Sequence, residues 1–474
     1  MLTVLLAALL WMLASGKMID PDIWWHLRNA EILLQTHHFP NHDMYSFTVP
    51  GADWINHAWL AEIPFFLAWR AYGFTGLNLL WIGVALLIFS GLLYRCWQAS
   101  GNFKASIIAC GFCSFLAVVN FGPRTILFGW ACMVALLILL ERFRSLGRGP
   151  LWLIPPLFCL WINTHGSWMF GFLVFGIFVA GGLIEGQWGR IEAVRWSRSS
   201  LIKLIATGLV SVGAVFVNPF GWLLVQYPFD FGAKQTLNVA HIEEWASIDF
   251  HDAHGKIIFV LLIGILAVAL LQNRRWRLTE VGWLVLGLYL GLTYARFLFF
   301  LAIIAAPMLA RFLDFIPPYD RKADQPVLNL LFMAGFGYFA LHYFPLPSEA
   351  SFEKTSATQF PAQILPYLKA HPPAGRVLND YFWGGYFIWY ERDLKVFIDS
   401  RVDIFEYGGV FADYIDLLGV KNVDRIIDKY QIRYVLFSVN RPLTYLLEHD
   451  PKWKVDYRDS VSVLFERTSL AESH

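Results

Sequence analysis

The fold is decided by residues 2–34, LTVLLAALLWMLASGKMIDPDIWWHLRNAEILL, in which an apolar run ends at Asp20-Pro21-Asp22. The apolar run approaches the length of about 20 residues that a helix needs to cross a bilayer. A carboxylate at the end of a membrane span is costly unless it has a partner, so it invites a functional explanation. The stretch therefore predicts a membrane helix that brings Asp20 to an interface.

The composition agrees with a membrane protein. Hydrophobic residues make up 57% of the 474 residues and charged residues only 15%, which excludes a disordered chain, a coiled coil and an ordinary cytosolic enzyme. The net charge of +1 provides no basic stripe, so nucleic acid is excluded as a partner.

Charge is unevenly distributed along the chain. Residues 350–474 contain 32 charged residues, whereas the preceding 349 residues contain 41. The density of charged residues in 350–474 is normal for a soluble domain, whereas that in the preceding 349 residues is too low. We therefore predict a transmembrane domain over 1–349, with outer loops 20–75 and 218–255, and a soluble extracytoplasmic α/β domain over 350–474.

Eleven segments are predicted to span the membrane. They are 2–19, 76–95, 104–121, 125–141, 151–164, 166–184, 201–217, 256–272, 279–294, 297–313 and 326–344. The apolar segment 57–72 carries His57, Glu62, Pro64 and Arg70, and is predicted to be an interfacial amphipathic helix instead. The first segment is expected to be retained, because the alternative, a signal peptide cut near residues 14–16, lacks a basic n-region.

Basic residues fix the expected orientation. Lys and Arg collect in alternate turns, near residues 95–104, 142–148, 190–203, 274–277 and 311–322. The positive-inside rule then predicts a cytoplasmic N-terminus and, after eleven spans, an extracytoplasmic C-terminal domain. In that domain, strands are predicted at 395–398, 432–437 and 461–465, and helices near 410–418 and 422–430.

The outer loop 20–57 is rich in ionisable residues. Asp22 is suitably placed to cap a helix over 23–34, which is an alternative to a functional role. Capping explains Asp20 less well, because Asp20 lies outside the predicted helix.

Several motifs together resemble the GT-C superfamily of membrane glycosyltransferases. They are DPDIWWHLRNAEILL from Asp20, FPNHDMYSFT from Phe39, HAWLAE from His57, RTILF from Arg124, NTHG from Asn163, NPFGW from Asn218 and ARFLF from Ala295. The superfamily includes oligosaccharyltransferases, protein O-mannosyltransferases and aminoarabinose transferases, and the motifs are most similar to those of an uncharacterised bacterial branch. The resemblance implies an α-helical polytopic protein of a bacterial inner membrane.

The C-terminal domain carries a second resemblance. VLNDYFWGGY over 377–386, followed by FIDSR over 397–401, resembles the oligosaccharyltransferase region with the Trp-Trp-Asp-Tyr-Gly acceptor motif. Gly384 and Gly385 replace the second Trp and the Asp, which argues against the same peptide acceptor. The alternative is a joint that needs glycines for close backbone packing.

The resemblance implies transfer of a sugar from a polyprenyl-phosphate donor to an outer-face acceptor, which is a glycan, a lipid or a protein. Asp20, with Asp22 and Asp43, is the candidate catalytic carboxylate, and a base is needed to activate an acceptor hydroxyl. Arg124 and Arg296, with His57, are the candidate ligands of the donor phosphate; snorkelling to lipid headgroups is the alternative for the arginines. Mg²⁺ or Mn²⁺ is a candidate cofactor, held by the three aspartates.

Further residues are expected to line the acceptor site or cavity: His26, Arg28, His165, Glu243, Glu244, Trp383 and Tyr386. A non-catalytic GT-C-derived scaffold, which anchors an outer assembly of other membrane-complex subunits, is the alternative function. A transporter is disfavoured, because no paired broken helices and no mid-membrane chain of charges are visible.

Overall fold

The structure is a computed structural model that describes residues 6–8, 10–11, 20–117, 122–320, 322, 324–344 and 348–468. It divides into two compact units. The first unit comprises Met1–Gly16, Asn78–Pro228 and Ala240–Leu346, and the second comprises Lys17–Leu77, Phe229–Val239 and Pro347–His474. The second unit therefore combines the whole of the predicted outer loop 20–75 with the charged C-terminal region.

The first unit is helical. Its helices are the later part of Trp59–Ser100, then Phe103–Ala117, Ile126–Leu146, Ile154–Thr164, Trp168–Ala180, Arg198–Ala214, Ala253–Leu271, Leu278–Thr293, Leu298–Phe312 and Pro326–Tyr343. Each coincides with a predicted span. A long apolar segment in lipid forms a helix because a helix satisfies the hydrogen bonds of its own backbone N–H and C=O groups. The remaining predicted span, 2–19, lies mostly outside the described residues. The helices Trp222–Lys234 and Thr236–His241 follow the seventh predicted span.

Five helices of the described chain are long and apolar enough to cross a membrane. They are Trp59–Ser100, Ile126–Leu146, Ala253–Leu271, the continuous segment Ala295–Phe315 and Pro326–Tyr343. Four apolar helices are shorter, at Phe103–Ser114, Leu151–Thr164, Trp168–Ala180 and Leu278–Thr293. The exact number of eleven spans stays a prediction.

A proline explains one polar contact in the core of this unit. Pro307 lies inside the deeply buried helix Leu298–Phe312 and has no N–H for the carbonyl of Ile303. The buried Arg95 donates a hydrogen bond from Nη1 to that carbonyl oxygen at 3.2 Å. The arginine thus satisfies the carbonyl that the proline leaves without its helical partner.

A small sheet also belongs to the first unit. It consists of β1 (Gly186–Trp188), β2 (Ile191–Ala193) and β3 (Trp276–Arg277) in that spatial order. β1 and β2 are antiparallel, whereas β2 and β3 are parallel. The sheet joins two of the predicted basic turns.

The 42-residue helix Trp59–Ser100 is broken at Tyr72 and Gly73, whose backbone angles are not helical. Gly73 adopts a positive φ of 57°, which a glycine accepts without strain. Directly after the break, the carboxylate of Glu349 accepts the Phe74 N–H at 2.5 Å, as an anion at a helix N-terminus does. The predicted amphipathic segment 57–72 is therefore a separate helix, and its interfacial position stays a prediction.

The C-terminal part of the second unit is a small α/β fold. Strands β4 (Arg376–Asn379), β5 (Ile432–Ser438), β6 (Trp453–Arg458) and β7 (Ser462–Arg467) form a sheet in the order β4-β5-β7-β6. β4 and β5 are parallel and the other neighbours are antiparallel. Helices accompany the sheet at Glu349–Ser356, Leu365–Ala370, Gly384–Tyr390, Val402–Tyr407, Val410–Leu418, Val423–Lys429 and Pro442–Glu448.

Two of the three strands predicted in this domain are confirmed, as are both helices. The predicted strand 395–398 is wrong. Phe397 and Ile398 are fully buried, which explains the apolar pattern, but the segment makes one isolated bridge to the N-terminal loop. Val396 exchanges main-chain hydrogen bonds with Tyr45 and Phe47 at 3.0 and 3.1 Å. Burial without a sheet partner produced the same sequence signal as a strand.

Candidate functional site

Two arginines and a glutamate converge in the first unit. Arg124 Nη1 lies 2.5 Å from Glu244 Oε2, and Arg296 Nη1 lies 3.1 Å from Glu244 Oε1. Each arginine therefore contacts a different oxygen of one carboxylate. The exposed fractions of the three side chains lie between 20% and 34%, so the cluster is accessible to a ligand.

Short local structures hold the cluster. Arg124 lies two residues before the helix Ile126–Leu146, and Arg296 is in the 3₁₀ turn Ala295–Phe297 that leads into the helix Leu298–Phe312. Glu244 is in the 3₁₀ turn Glu243–Trp245, and Ala295 N–H donates to the Ala246 carbonyl at 3.0 Å. The main-chain bond fixes the two turns against each other.

The electrostatics of the cluster favour full ionisation. Burial by itself raises the pKa of the Glu244 carboxyl, but the charges of Arg296 and Arg124 outweigh it and lower the pKa to about 2. The Arg296 guanidinium also lies 4.1 Å from the centre of the Trp245 ring, in a cation–π contact. Its Nε is buried and has no hydrogen-bond partner among the described residues.

An apolar groove starts close to this cluster. It runs between the helices Phe103–Ala117, Ala253–Leu271 and Leu298–Phe312, and its apolar lining includes Phe112, Leu116, Ile258, Ile265, Leu301 and Leu309. Leu301 is five residues after Arg296, which lies in the 3₁₀ turn that leads into the helix Leu298–Phe312. From Leu301 to Leu313 the groove follows the helix for about 18 Å.

His165 also belongs to the first unit. Its Nδ1 lies 2.9 Å from Ser167 Oγ, in the turn after the helix Ile154–Thr164. An added Cβ at Gly129 would lie 2.4 Å from Ser167 Oγ and 3.3 Å from His165 Nδ1. The turn therefore packs directly on the helix that follows Arg124.

Asp20 and Asp22 lie at the start of the helix Asp22–Thr36 in the second unit. Asp20 Oδ1 accepts the Asp22 N–H at 2.8 Å, and Asp22 Oδ1 accepts the Trp25 indole N–H at 3.3 Å. Asp22 is thus the first residue of the helix, and it is the Asp20 carboxylate that binds a main-chain N–H there, contrary to the prediction that capping explains Asp20 less well. Asp20 is 8% exposed.

Asp43 is part of a buried ion cluster. Arg401 Nη2 lies 2.6 Å from Asp43 Oδ1 and 2.6 Å from Asp399 Oδ2, and all three side chains are at most 1% exposed. The second oxygen of Asp43 accepts hydrogen bonds from the N–H and the hydroxyl of Ser46 at 3.0 and 2.7 Å. Both oxygens of Asp43 are thus engaged by donors of the protein, which is the arrangement of a structural ion pair.

His26 and Glu62 form a second buried polar cluster. Glu62 Oε1 lies 2.8 Å from His26 Nδ1, and Asn29 and Asn56 donate to the same carboxylate at 3.3 and 2.8 Å. Tyr45 donates to the Asn29 side-chain oxygen at 2.7 Å. The cluster ties the helix Asp22–Thr36 to the helix that begins at Trp59.

The remaining predicted residues of the second unit are distributed around these clusters. Arg28 pairs with Glu31, whose carboxylate also contacts Arg392 at 3.0 Å. His57 is half-buried, in the turn before Trp59. Because His57 and the two arginines belong to different compact units, their joint role at a phosphate stays a prediction.

Trp383 and Tyr386 are packed into the second unit. The Trp383 indole donates to the Gln359 carbonyl at 2.9 Å. Tyr386 is 3% exposed and packs on Trp24 and Phe360, with ring centres 5.1 Å apart in both pairs. Burial raises the pKa of the Tyr386 phenol. Both side chains are thus used in packing.

The glycines between these aromatic residues allow close backbone approach. A Cβ added to Gly384 would lie 2.2 Å from the Ile398 carbonyl oxygen, and one added to Gly385 would lie 2.5 Å from that of Pro21. The departure from the acceptor motif therefore has a packing reason. Gly385 allows the helix Gly384–Tyr390 to pack against Pro21, the residue next to Asp20.

Among the described residues, no group of three or more His, Cys, Asp or Glu side chains is arranged to hold a metal ion. Asp43 is engaged by Arg401, and the first-unit cluster has one carboxylate and two cations. Binding of Mg²⁺ or Mn²⁺ stays a prediction.

No family model matches the sequence, and the search of curated proteins gave no significant match. Solved structures do match. The oligosaccharyltransferase of Archaeoglobus fulgidus, solved with a tethered acceptor peptide, aligns with a TM-score of 0.54 at 12% identity over 92% of this chain and 69% of its own. ArnT of Cupriavidus metallidurans, solved with bound undecaprenyl phosphate, aligns with a TM-score of 0.51 at 12% identity over 98% and 97%.

The chain is thus a multi-pass helical membrane protein with the GT-C fold and a small C-terminal α/β region. The fold predicted from the motifs is confirmed. Identities of 12% establish the fold alone, so the activity has to be argued from the chain's own residues.

Proposed function

We propose that the protein is a membrane glycosyltransferase that moves a sugar from a polyprenyl-phosphate donor to an acceptor on the outer face of a bacterial inner membrane. The observation that carries this proposal is the convergence of Arg124 and Arg296 on Glu244, close to the start of an apolar groove. A lipid phosphate has the matching structure, with an anionic head and a long apolar tail.

The two arginines suit a phosphate for physical reasons. Guanidinium groups bind phosphate through paired N–H donors, and Arg296 has a buried Nε without an acceptor among the described residues. A partly buried cluster strengthens this attraction relative to bulk water. The bound undecaprenyl phosphate of ArnT shows that this fold accommodates such a lipid in that protein.

The apolar groove suits the isoprenoid tail of the proposed lipid donor. An isoprenoid chain gains little by leaving lipid for another apolar environment, so the groove orients the chain rather than extracting it. Its length of about 18 Å along the helix Leu298–Phe312 accommodates several isoprene units. A tail in the groove would bring the phosphate towards Arg296.

In the proposed reaction, the acceptor hydroxyl attacks the anomeric carbon of the donor sugar and loses its proton to a carboxylate base. Asp20 is the proposed base. The bond between the anomeric carbon and the phosphate oxygen breaks, and its electron pair stays on the phosphate. Arg124 and Arg296 stabilise the charge that develops there, which is a large contribution in a partly dry site.

The test uses the purified full chain in vesicles with a panel of undecaprenyl-phosphate hexoses and an envelope extract as the source of acceptors. Release of undecaprenyl phosphate is measured. We expect turnover by the wild type and none by Asp20→Asn, while Asp53→Asn, a change of the same type at an exposed carboxylate of the same loop, keeps full activity. Normal turnover by Asp20→Asn would remove Asp20 from the mechanism.

The alternative of a non-catalytic scaffold predicts an inactive wild type and stable co-purification with other envelope proteins. The loss of the acceptor motif at Gly384 and Gly385 would favour a scaffold, but close backbone packing explains both glycines. The glycosyltransferase is therefore the favoured proposal.

A further inference from the structure

The charge of the arginine cluster leads to a further inference, which rests on the proposed function. Arg124 and Arg296 contribute two positive charges and Glu244 one negative charge, so the three side chains sum to +1. A cluster that only had to attract phosphate would gain by omitting the carboxylate. Its presence needs a reason.

Arg296 has further contacts besides Glu244. The Arg296 guanidinium already stacks on Trp245 at 4.1 Å, and Ala295 is tied to Ala246 through the main chain. The carboxylate takes one contact from each arginine, whereas a guanidinium offers five N–H donors. A phosphate can therefore bind to further donors of Arg296 while Glu244 stays in place.

Substrate and product of the proposed reaction differ in charge. A polyprenyl-phosphate sugar is a phosphodiester with one negative charge. The spent polyprenyl phosphate is a monoester, whose charge near pH 7 lies between −1 and −2 because its second pKa is about 6. The product is thus the stronger anion, and two unopposed arginines would hold it more tightly than the donor.

We propose that Glu244 is a specificity-determining residue that matches the phosphate site to the singly charged donor and weakens the binding of the doubly charged product. Its carboxylate lies between the two guanidinium groups, where it repels either lipid phosphate. The repulsion grows with the charge of the phosphate, so the monoester suffers more than the diester. Glu244 therefore favours product release.

The experiment compares the affinity of two probes, undecaprenyl phosphate and undecaprenyl-phosphate glucose, for the full-length protein in nanodiscs of neutral lipid at pH 7.5. For Glu244→Gln, which keeps a carbonyl oxygen for the arginines, we expect binding of the monoester to tighten about 10-fold and that of the diester about 3-fold. Glu244→Asp keeps the charge and should keep the wild-type ratio of the two affinities.

Glu141→Gln is the matched control, because Glu141 pairs with Arg277 at 2.5 Å elsewhere in the first unit. It should leave both affinities unchanged. Equal tightening of both lipids by Glu244→Gln, or weaker binding of either, would overturn the charge-matching role. If instead Arg124→Gln and Arg296→Gln leave both affinities unchanged, the phosphate site of the proposed function is wrong.

Discussion

Gly385 lies so close to Pro21 that a Cβ on the glycine would be 2.5 Å from the proline carbonyl oxygen. The contact joins the helix Gly384–Tyr390 to the residue that separates Asp20 from Asp22. Because the obstacle is main chain, it cannot rotate away as a side chain would. The position of Asp20 thus depends on a residue of the C-terminal region.

Gly385→Ala should therefore displace Pro21 and lower the proposed transferase activity at least 10-fold. Overpacking of this kind costs about 1–3 kcal/mol of folding free energy. Turnover and thermal unfolding in detergent are the measurements. Gly83→Ala is the control, since nothing lies within 4 Å of its added Cβ; equal behaviour of the two variants would show that the close approach is unimportant.

Arg401→Met should be strongly destabilising. It would leave Asp43 and Asp399 buried without their cation, and breaking a buried ion pair in this way costs about 3–5 kcal/mol. Chemical unfolding of the purified protein provides the measurement. Arg425 is exposed and lies 3.8 Å from Asp413, which makes Arg425→Met a control with a change under about 0.5 kcal/mol. A loss below 1 kcal/mol at Arg401 would contradict this account.

Glu62→Gln tests the second buried cluster. The Glu62 carboxylate accepts from Asn29, Asn56 and His26, so an amide would point a donor at another donor. An unsatisfied buried group costs about 1–3 kcal/mol, and a lower unfolding temperature should follow. The same change at the exposed Glu353 should leave the unfolding temperature unchanged. Unchanged stability of Glu62→Gln would mean that the amide finds partners by rotation of Asn29 or Asn56.

Glu244 predicts an acid-dependent loss of stability. Its folded pKa of about 2 is lower than the ordinary value of 4.5, so the ion pairs stabilise the fold above pH 4.5. This contribution is lost as the pH falls from about 4.5 to about 2, and it amounts to roughly 3 kcal/mol. Unfolding of the wild type and of Glu244→Gln should be compared at pH 6 and pH 3. The difference between the two proteins should shrink at pH 3, and a constant difference would contradict the ion pairs.

The membrane helices were predictable because hydropathy is a local property of the chain. Arg124, Arg296 and Glu244 are all among the candidate site residues that the sequence indicates. Their mutual contact was not predictable, and Glu244 was assigned to the acceptor cavity rather than to the arginines. Contacts between turns that are 120 residues apart have no local signature.

In the C-terminal region, strand prediction from the sequence fails where a buried segment does not pair in a sheet and where a paired strand is exposed. Phe397 and Ile398 are buried without a sheet, whereas β6 is a strand at a sheet edge with Lys454 and Val455 exposed. The sequence of β6, WKVDYR over 453–458, alternates apolar and charged residues, so this edge strand carries a strand signal that the prediction overlooked. The ion pair of Asp43 was not predictable for another reason, since its partner Arg401 is far away in the sequence.

The separation of Asp43 and Arg401 by 358 residues has a consequence for biosynthesis. At a translation rate of about 5–20 residues per second, roughly 20–70 s pass between the synthesis of the aspartate and that of its arginine. During this interval the N-terminal loop has been made but cannot bury its carboxylate. The loop must wait in a hydrated, unfinished state until the ribosome has nearly completed the chain, and a premature stop before residue 399 would leave it permanently exposed to proteases.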